Sequence, residues 1–246
     1  MKKMPQNRRG PRRKAGFVPL GRALSKLGVL SRSQAMTAVR DGRVSVDGRV
    51  ETDPARLVVP ERTRLAVDGR PAAEAAWRAI LFHKPRGVVT TRTDPEGRTT
   101  VYDVLGDAGR GLIAVGRLDL ATSGLLLLTT DTQLANWIAD PANAVVRLYA
   151  VTVRGRVAET DMADLTGRVT LRKLSARESH LLVELREGRN RQVRRMFETI
   201  GHEVTALKRL ALGGLDLGHL EPGQHRTLTT REIVQAFPGA PVRAVK

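Results

Sequence analysis

The chain contains no cysteine among its 246 residues. Disulfides, a thiolate nucleophile and cysteine-ligated zinc are therefore excluded. Aromatic residues are scarce, at 3%, so any core must be built from leucine, valine, isoleucine and alanine. The five histidines are scattered, and none stands in an H-E-x-x-H arrangement, which offers no metal-ligand spacing. No apolar run approaches the about 18 residues that a membrane-spanning helix needs. The basic N-terminus is followed by no apolar stretch, so no secretory signal is read there and a cytoplasmic protein is expected. No G-x-G-x-x-G follows a strand and no G-x-x-x-x-G-K-[ST] occurs, so the dinucleotide and nucleotide-hydrolysis signatures are missing. Ser123 is not in a G-x-S-x-G elbow, which disfavours a serine hydrolase.

What is plentiful is positive charge. Lys and Arg total 42 against 25 Asp and Glu, a net +17. Such an excess repels itself unless a polyanion is near, and nucleic acid is the first partner to expect. A membrane surface is second, but no basic amphipathic helix with a large aromatic face supports it. The length suits two modest domains or one large one.

Residues 1–16 (MKKMPQNRRGPRRKAG) carry seven Lys or Arg and no acid. That composition cannot bury a core, so a disordered tail is expected, either solubilising or a phosphate-binding arm. Leu20, Leu24 and Leu27 then fall on one face of a short helix, with Gly28 as its stop. Ser31 or Ser33 can cap a second helix with Ala35, Met36 and Val39 inward and Gly42 at its end. Val44, Val46 and Val50 flank Asp47-Gly48, a two-residue hairpin signal, and Asp68-Gly69 repeats it. The stretch LGRALSKLGVLSRSQAMTAVRDGRVSVDGRV resembles the small RNA-binding domain first described in ribosomal protein S-four. That resemblance implies that residues 17–70 form a small α/β module gripping structured RNA. The family's usual arginine pair is Arg32-Ser33 here.

PAAEAA, 71–76, reads as a linker. Beyond it, strands are expected at 79–83, 112–115, 125–129, 148–153, 180–185 and 204–210. Helices are expected at 100–105, 132–139, 161–165, 191–200 and 230–237. Strands and helices mix without a strict βαβ rhythm. An α+β domain over 77–246, on a largely antiparallel mixed sheet, is therefore expected.

Two stretches carry candidate chemistry. In EGRNRQVRRMFETIGHEV, Val193, Met196, Phe197 and Ile200 share one helix face and Arg191, Arg194 and Arg195 fall opposite. Asn190 can cap the start and Gly201 the end. Arginine forks match phosphate geometry, which points to RNA or active-site contact. In GRLDLATSGLLLLTTD, Leu125 to Leu128 read as a buried strand, and the loop before them holds one carboxylate, Asp119, near Arg117. Taken bare, Asp119 is either a turn residue or a catalytic acid.

That second stretch resembles the catalytic motif of the RsuA/RluB family of pseudouridine synthases, with the family's essential aspartate at Asp119. HKPRGVVTT resembles the family's K-P-x-G loop. RLYAVTVRG resembles its K-x-Y-x-V strand, with the active-site tyrosine at Tyr149 and Arg147 in the lysine's place. EGRNRQVRRMFETIGHEV resembles the third motif, whose basic residue falls at Arg194, and GLDLGHLEPGQHRTLTTREI fits the family's tail.

The resemblance implies isomerisation of a ribosomal RNA uridine, in large-subunit (23S) rather than small-subunit (16S) RNA. It implies no cofactor, no metal, and a monomer acting on ribosomal RNA or an assembling subunit. It gives Asp119 the chemistry, as nucleophile or as base, Tyr149 the stack under a flipped base, and Arg194 an ion pair with Asp119. Phosphate contacts are expected from Arg32, Arg43, Lys84, Arg86, Arg117, Arg189, Arg191 and Arg195. A non-catalytic RNA-binding or ribosome-assembly protein is the rival. A methyltransferase lacks its glycine-rich S-adenosylmethionine loop.

Overall fold

The computed structural model describes residues 16–30, 32–60, 62–72, 76–163 and 165–242. The tail at 1–15, Ser31 as a cap and positions 73–75 of the linker lie outside them. The chain divides into two compact units, the second beginning at Ala76.

The first unit has two helices, α1 (Leu20–Lys26) and α2 (Arg32–Arg40), and a four-stranded sheet. Its strands are β1 (Val44–Val46), β2 (Arg49–Val50), β3 (Leu65–Val67) and β4 (Arg70–Pro71). Both Asp-Gly pairs make the turns they predict. Asp47 and Gly48 have φ of 51° and 85°, and Asp68 and Gly69 have 51° and 73°. Two successive left-handed residues are what a type I′ hairpin requires. Leu20, Leu24, Ala35, Val39, Val44, Val46 and Leu65 form the core. Met36 does not join them; it is 37% exposed. A Cβ on Gly21 would lie 3.0 Å from the Met36 sulfur, so Met36 lies across α1 at its glycine rather than beneath it.

The second unit is built on one nine-stranded sheet. In chain order its strands are β5 (Ala79–Lys84), β6 (Ile113–Ala114), β7 (Ser123–Thr129), β8 (Arg147–Arg154), β9 (Arg168–Leu174), β10 (Glu178–Leu185), β11 (Val204–Leu212), β12 (Leu215–Asp216) and β13 (His225–Leu228). The main path runs β9-β10-β8-β11-β7-β5-β13, with β12 beside β11 and β6 beside β7. Every ladder is antiparallel except β11 with β7, where Lys208 and Arg209 pair with Ser123 and Gly124. The helices that matter to the site are α3 (Val101–Leu105), α4 (Thr132–Ala139), α5 (Gln192–Thr199) and α6 (Thr230–Ala236).

The four leucines have a plain reason. Alternate side chains of a strand point to opposite faces. Leu126 and Leu128 enter the core on one face with Phe82, Val151 and Phe197. Leu125 and Leu127 enter a second core on the other face with Leu134, Ile138 and Phe237. All four are 0% exposed, because this strand is covered on both sides.

Several expectations shift. The helix expected at 161–165 is a single turn at Glu159–Met162. Strands β9 and β13 are not in the expected set. β9 (RVTLRKL) lies half-exposed at the sheet edge, with Val169 and Leu171 partly buried against the core. Helix α5 starts after Arg191, whose φ is 50°. The chain turns there, so Asn190 lies one residue too early to cap, and no side chain caps this helix.

Candidate active site

Asp119 sits in the loop that carries the chain into β7. Gly116 turns it with φ of 70°, and Leu118 anchors it in the core. Each backbone carbonyl from Leu118 to Thr122 then has its own donor. The Thr90 hydroxyl donates to Leu118 O at 2.9 Å. Thr122 N donates to Asp119 O at 3.0 Å, and Gly87 N to Leu120 O at 2.8 Å. Arg194 Nη2 donates to Ala121 O at 3.1 Å, and Lys84 Nζ to Thr122 O at 2.8 Å. Donors from residues 84–90, from α5 and from the loop itself hold five consecutive peptide units, so the Asp119 backbone has little freedom.

This accounts for Lys84, which was expected at the RNA. It is 0% exposed, and its ammonium donates to Pro85 O at 3.0 Å as well as to Thr122 O. It braces the loop from below and is out of reach of a phosphate. Burial lowers its pKa to about 8, and the negative charge of Asp119 opposes that shift. The unfolded chain, with a lysine pKa near 10.5, holds this proton more tightly than the folded one. Stability therefore rises with pH between about 8 and 10.5, with a slope of up to about 1.4 kcal/mol per pH unit. Urea unfolding of wild type and Lys84→Met at pH 7.5 and pH 10 checks this. The difference in stability should move in favour of wild type at the higher pH, and a pH-independent difference would refute it.

Arg194 is also placed differently. Its guanidinium donates to Val204 O at 2.9 Å and to Ala121 O, and its Nε is buried without a partner. It forms no ion pair with Asp119; the two interact through space. Burial lowers the arginine's pKa first, Arg191 lowers it further, and Asp119 opposes both. Arg194 thus tethers the loop two residues past Asp119, on the inner side of α5 rather than on the solvent side.

Asp119 opens into a cleft of about 400 Å³. Tyr149 on β8 lines the same cleft and is buried against Val151 and Leu181. Arg117, Arg189 and Arg191 also line it and are exposed. Arg189 is paired with Glu187, Nε to Oε2 at 3.0 Å. Arg86 and Arg195 are exposed but do not line the cleft, and Arg195 donates to Asn190 O. In the first unit Arg32 is exposed, and Arg43 forms a two-pronged pair with Asp68 at 2.8 and 2.6 Å.

Two lining residues are missing from the expected site set. Arg147 and Arg209 are 7% and 3% exposed. Both occupy the inward phase of a strand, in RLYAVTVR and VTALKRLAL, where the alternation calls for an apolar residue. An arginine in that phase was the available signal.

Comparison with known proteins completes the description. The profile of the family described as RNA pseudouridylate synthase matches residues 78–199, and that of the S4 domain matches 18–63. Ribosomal large subunit pseudouridine synthase B of Salmonella typhi is 40% identical over 216 residues, covering 80% of this chain and 74% of its own length. The protein of that name from Escherichia coli (strain K12) is 38% identical over 244 residues, covering 89% and 84%. A solved structure described as a crystal structure of pseudouridylate synthase superposes with a TM-score of 0.61 at 28% identity, spanning 89% of this chain and 99% of that one.

Proposed function

This chain belongs to the RNA pseudouridylate synthase family, and we propose that it converts one uridine of large-subunit ribosomal RNA to pseudouridine, with Asp119 as the reacting carboxylate. The observation that carries the assignment of Asp119 is the run of five tethered carbonyls around it. A turn residue needs no such bracing; a carboxylate doing covalent or proton chemistry does. The choice of the large subunit is supported by the two relatives named for it.

The reaction breaks the C1′–N1 bond, turns the base and forms a C1′–C5 bond. A stacked base cannot reach Asp119, so the nucleotide flips out at a cost of a few kcal/mol. Stacking on Tyr149 returns about 1–3 kcal/mol of that. Arg194 keeps the loop in position through its bond to Ala121 O. Residues 17–70 serve as a separate RNA-binding module, in line with the S4 match, and Arg32 presents its charge there. Arg117, Arg189 and Arg191 take phosphates at the cleft mouth. The protein works as a cytoplasmic monomer.

Mapping pseudouridine across both ribosomal RNAs, from cells with and without this protein, tests the reading. One large-subunit uridine should lose its modification and regain it on complementation. A lost site in small-subunit RNA would move the target. No lost site, with RNA binding intact, would favour a non-catalytic RNA-binding role. With about 6–10 phosphates contacted, affinity for the RNA should also fall about 10³-fold or more between 50 and 200 mM salt.

A further inference from the structure

The cleft holds two buried cations that form no ion pair among the described residues. Arg147 donates to Val145 O at 2.6 Å and to Ile138 O at 3.2 Å. Arg209 donates through Nε to Leu125 O at 2.7 Å, while its Nη2 is buried with no partner. Among the described residues their hydrogen-bond partners are carbonyl oxygens. Burial lowers the pKa of Arg147, Tyr149 opposes that shift, and Arg209 adds to it by repulsion. A buried charged donor left unpaired is costly, and here the cost is borne next to the substrate cleft.

Their position selects the anion. Tyr149 and Arg209 are direct partners across the β8–β11 ladder. Directly opposed residues on such a ladder share a face, with Cβ atoms about 4.5–5.5 Å apart. Arg147 lies two residues before Tyr149 on the same face of β8. A base stacked on Tyr149 therefore brings its polar rim toward these two guanidiniums. Phosphates stay on the RNA chain at the mouth, where the exposed arginines are. The flipped base is the part of the substrate that goes deepest.

We infer that Arg209, backed by Arg147, binds the uracil ring and stabilises the negative charge it carries once detached from the sugar. The inference rests on the function proposed above. When the C1′–N1 bond breaks, its electron pair leaves with N1 and spreads onto O2 and O4. C1′ is either captured by the Asp119 carboxylate or becomes part of a C1′–C2′ double bond by losing the C2′ proton to it. The ring turns, and C5 supplies the pair that forms C1′–C5 as the C1′–O bond to Asp119 breaks or, on the other route, as Asp119 returns its proton to C2′. C5 then gives up its proton and N1 gains one. The sum is an isomerisation, with no electrons gained or lost. Through the middle of it the free base is an anion, and a preorganised guanidinium is the donor that state requires.

The test is single-turnover conversion of a ribosomal RNA fragment by wild type, Arg209→Gln, Arg209→Lys and Arg147→Lys. Arg209→Gln should convert about 100-fold more slowly, with RNA affinity within about 2-fold of wild type. Arg209→Lys should recover about 10-fold of that loss, since it restores the charge without the fork. With 5-fluorouridine at the target, the detached base is a weaker base, so the Arg209→Gln deficit in C1′–N1 cleavage should shrink. An unchanged rate in Arg209→Gln overturns the inference. Rate and affinity falling together mark a phosphate contact and also overturn it, and so does an equal deficit on both substrates. If Arg209→Gln fails to fold, Arg147→Lys and Arg209→Lys carry the same comparison. Wild-type conversion that Asp119→Asn abolishes shows that the parent reading stands whichever way these variants fall.

Discussion

Asp119→Asn should abolish conversion of uridine, with a rate loss of about 10⁴-fold or more, the scale seen when a reacting side chain is removed. The substitution keeps the shape of the side chain and removes its charge and basicity. Folding should barely notice. The five tethers of this loop all act on backbone carbonyls, and none needs the Asp119 carboxylate. Stability should stay within about 0.5 kcal/mol of wild type. Affinity for the RNA should hold or rise slightly, since a negative charge leaves a basic cleft. One further signature is expected. Asp119 opposes the burial shift of Lys84, so in the variant Lys84 should lose its proton below the wild-type value of about 8. Quantification of pseudouridine in a ribosomal RNA fragment, thermal melting and RNA binding together check this. Residual conversion above a hundredth of wild type would place the chemistry elsewhere.

Gly124→Ala should have the second largest effect, and through folding rather than chemistry. Gly124 stands where β7 meets β11, with φ of 108°. A Cβ there would lie 2.2 Å from Arg209 O and 2.5 Å from Arg209 N. Those are backbone atoms of a central strand and cannot swing aside. The backbone conformation is itself strained for alanine. Together the two penalties come to about 4 kcal/mol or more, a large part of a domain stability of about 5–15 kcal/mol. Denaturant unfolding should show this loss. Any variant protein that does fold should have lower activity, because Arg209 and the Asp119 loop adjoin the displaced strands. A melting temperature within about 2 °C of wild type would refute the packing argument.

The parts of the molecule that were legible in its sequence share a property. Their signals are local. Two Asp-Gly pairs announce two hairpins because left-handed backbone needs those residues. Four leucines in a row announce a strand covered on both faces. An ordered series of motifs joined Asp119 and Tyr149 in one expected site, and the fold brings both to one cleft. What stayed hidden are contacts between a side chain and a distant carbonyl. Lys84 looks like a surface cation, and only the fold reveals Thr122 O above its ammonium. Arg194 looks like a partner for a carboxylate, yet it grips Ala121 O instead. Backbone carbonyls are the same at every position, so residue types cannot say which one a guanidinium will find. The edge strands β9 and β13 were hidden for another reason: β13 (HRTL) buries a single side chain, and the alternation of β9 is short and slips at the bulge between Leu171 and Lys173.

The single parallel seam between β7 and β11 has a consequence in time. Asp119 precedes the rest of the site in the chain: Tyr149 follows it by 30 residues, and Arg194 and Arg209 come only from the later half of the domain. Gly124 and Arg209 close a loop of roughly 85 residues, the kind of distant contact that forms late. No hairpin can zip it up in advance. A chain still emerging during its own synthesis therefore displays the aspartate without its clamp, its stacking ring or its buried cations. Such a nascent chain is expected to be inert toward RNA and to acquire activity only once β11 has docked against β7.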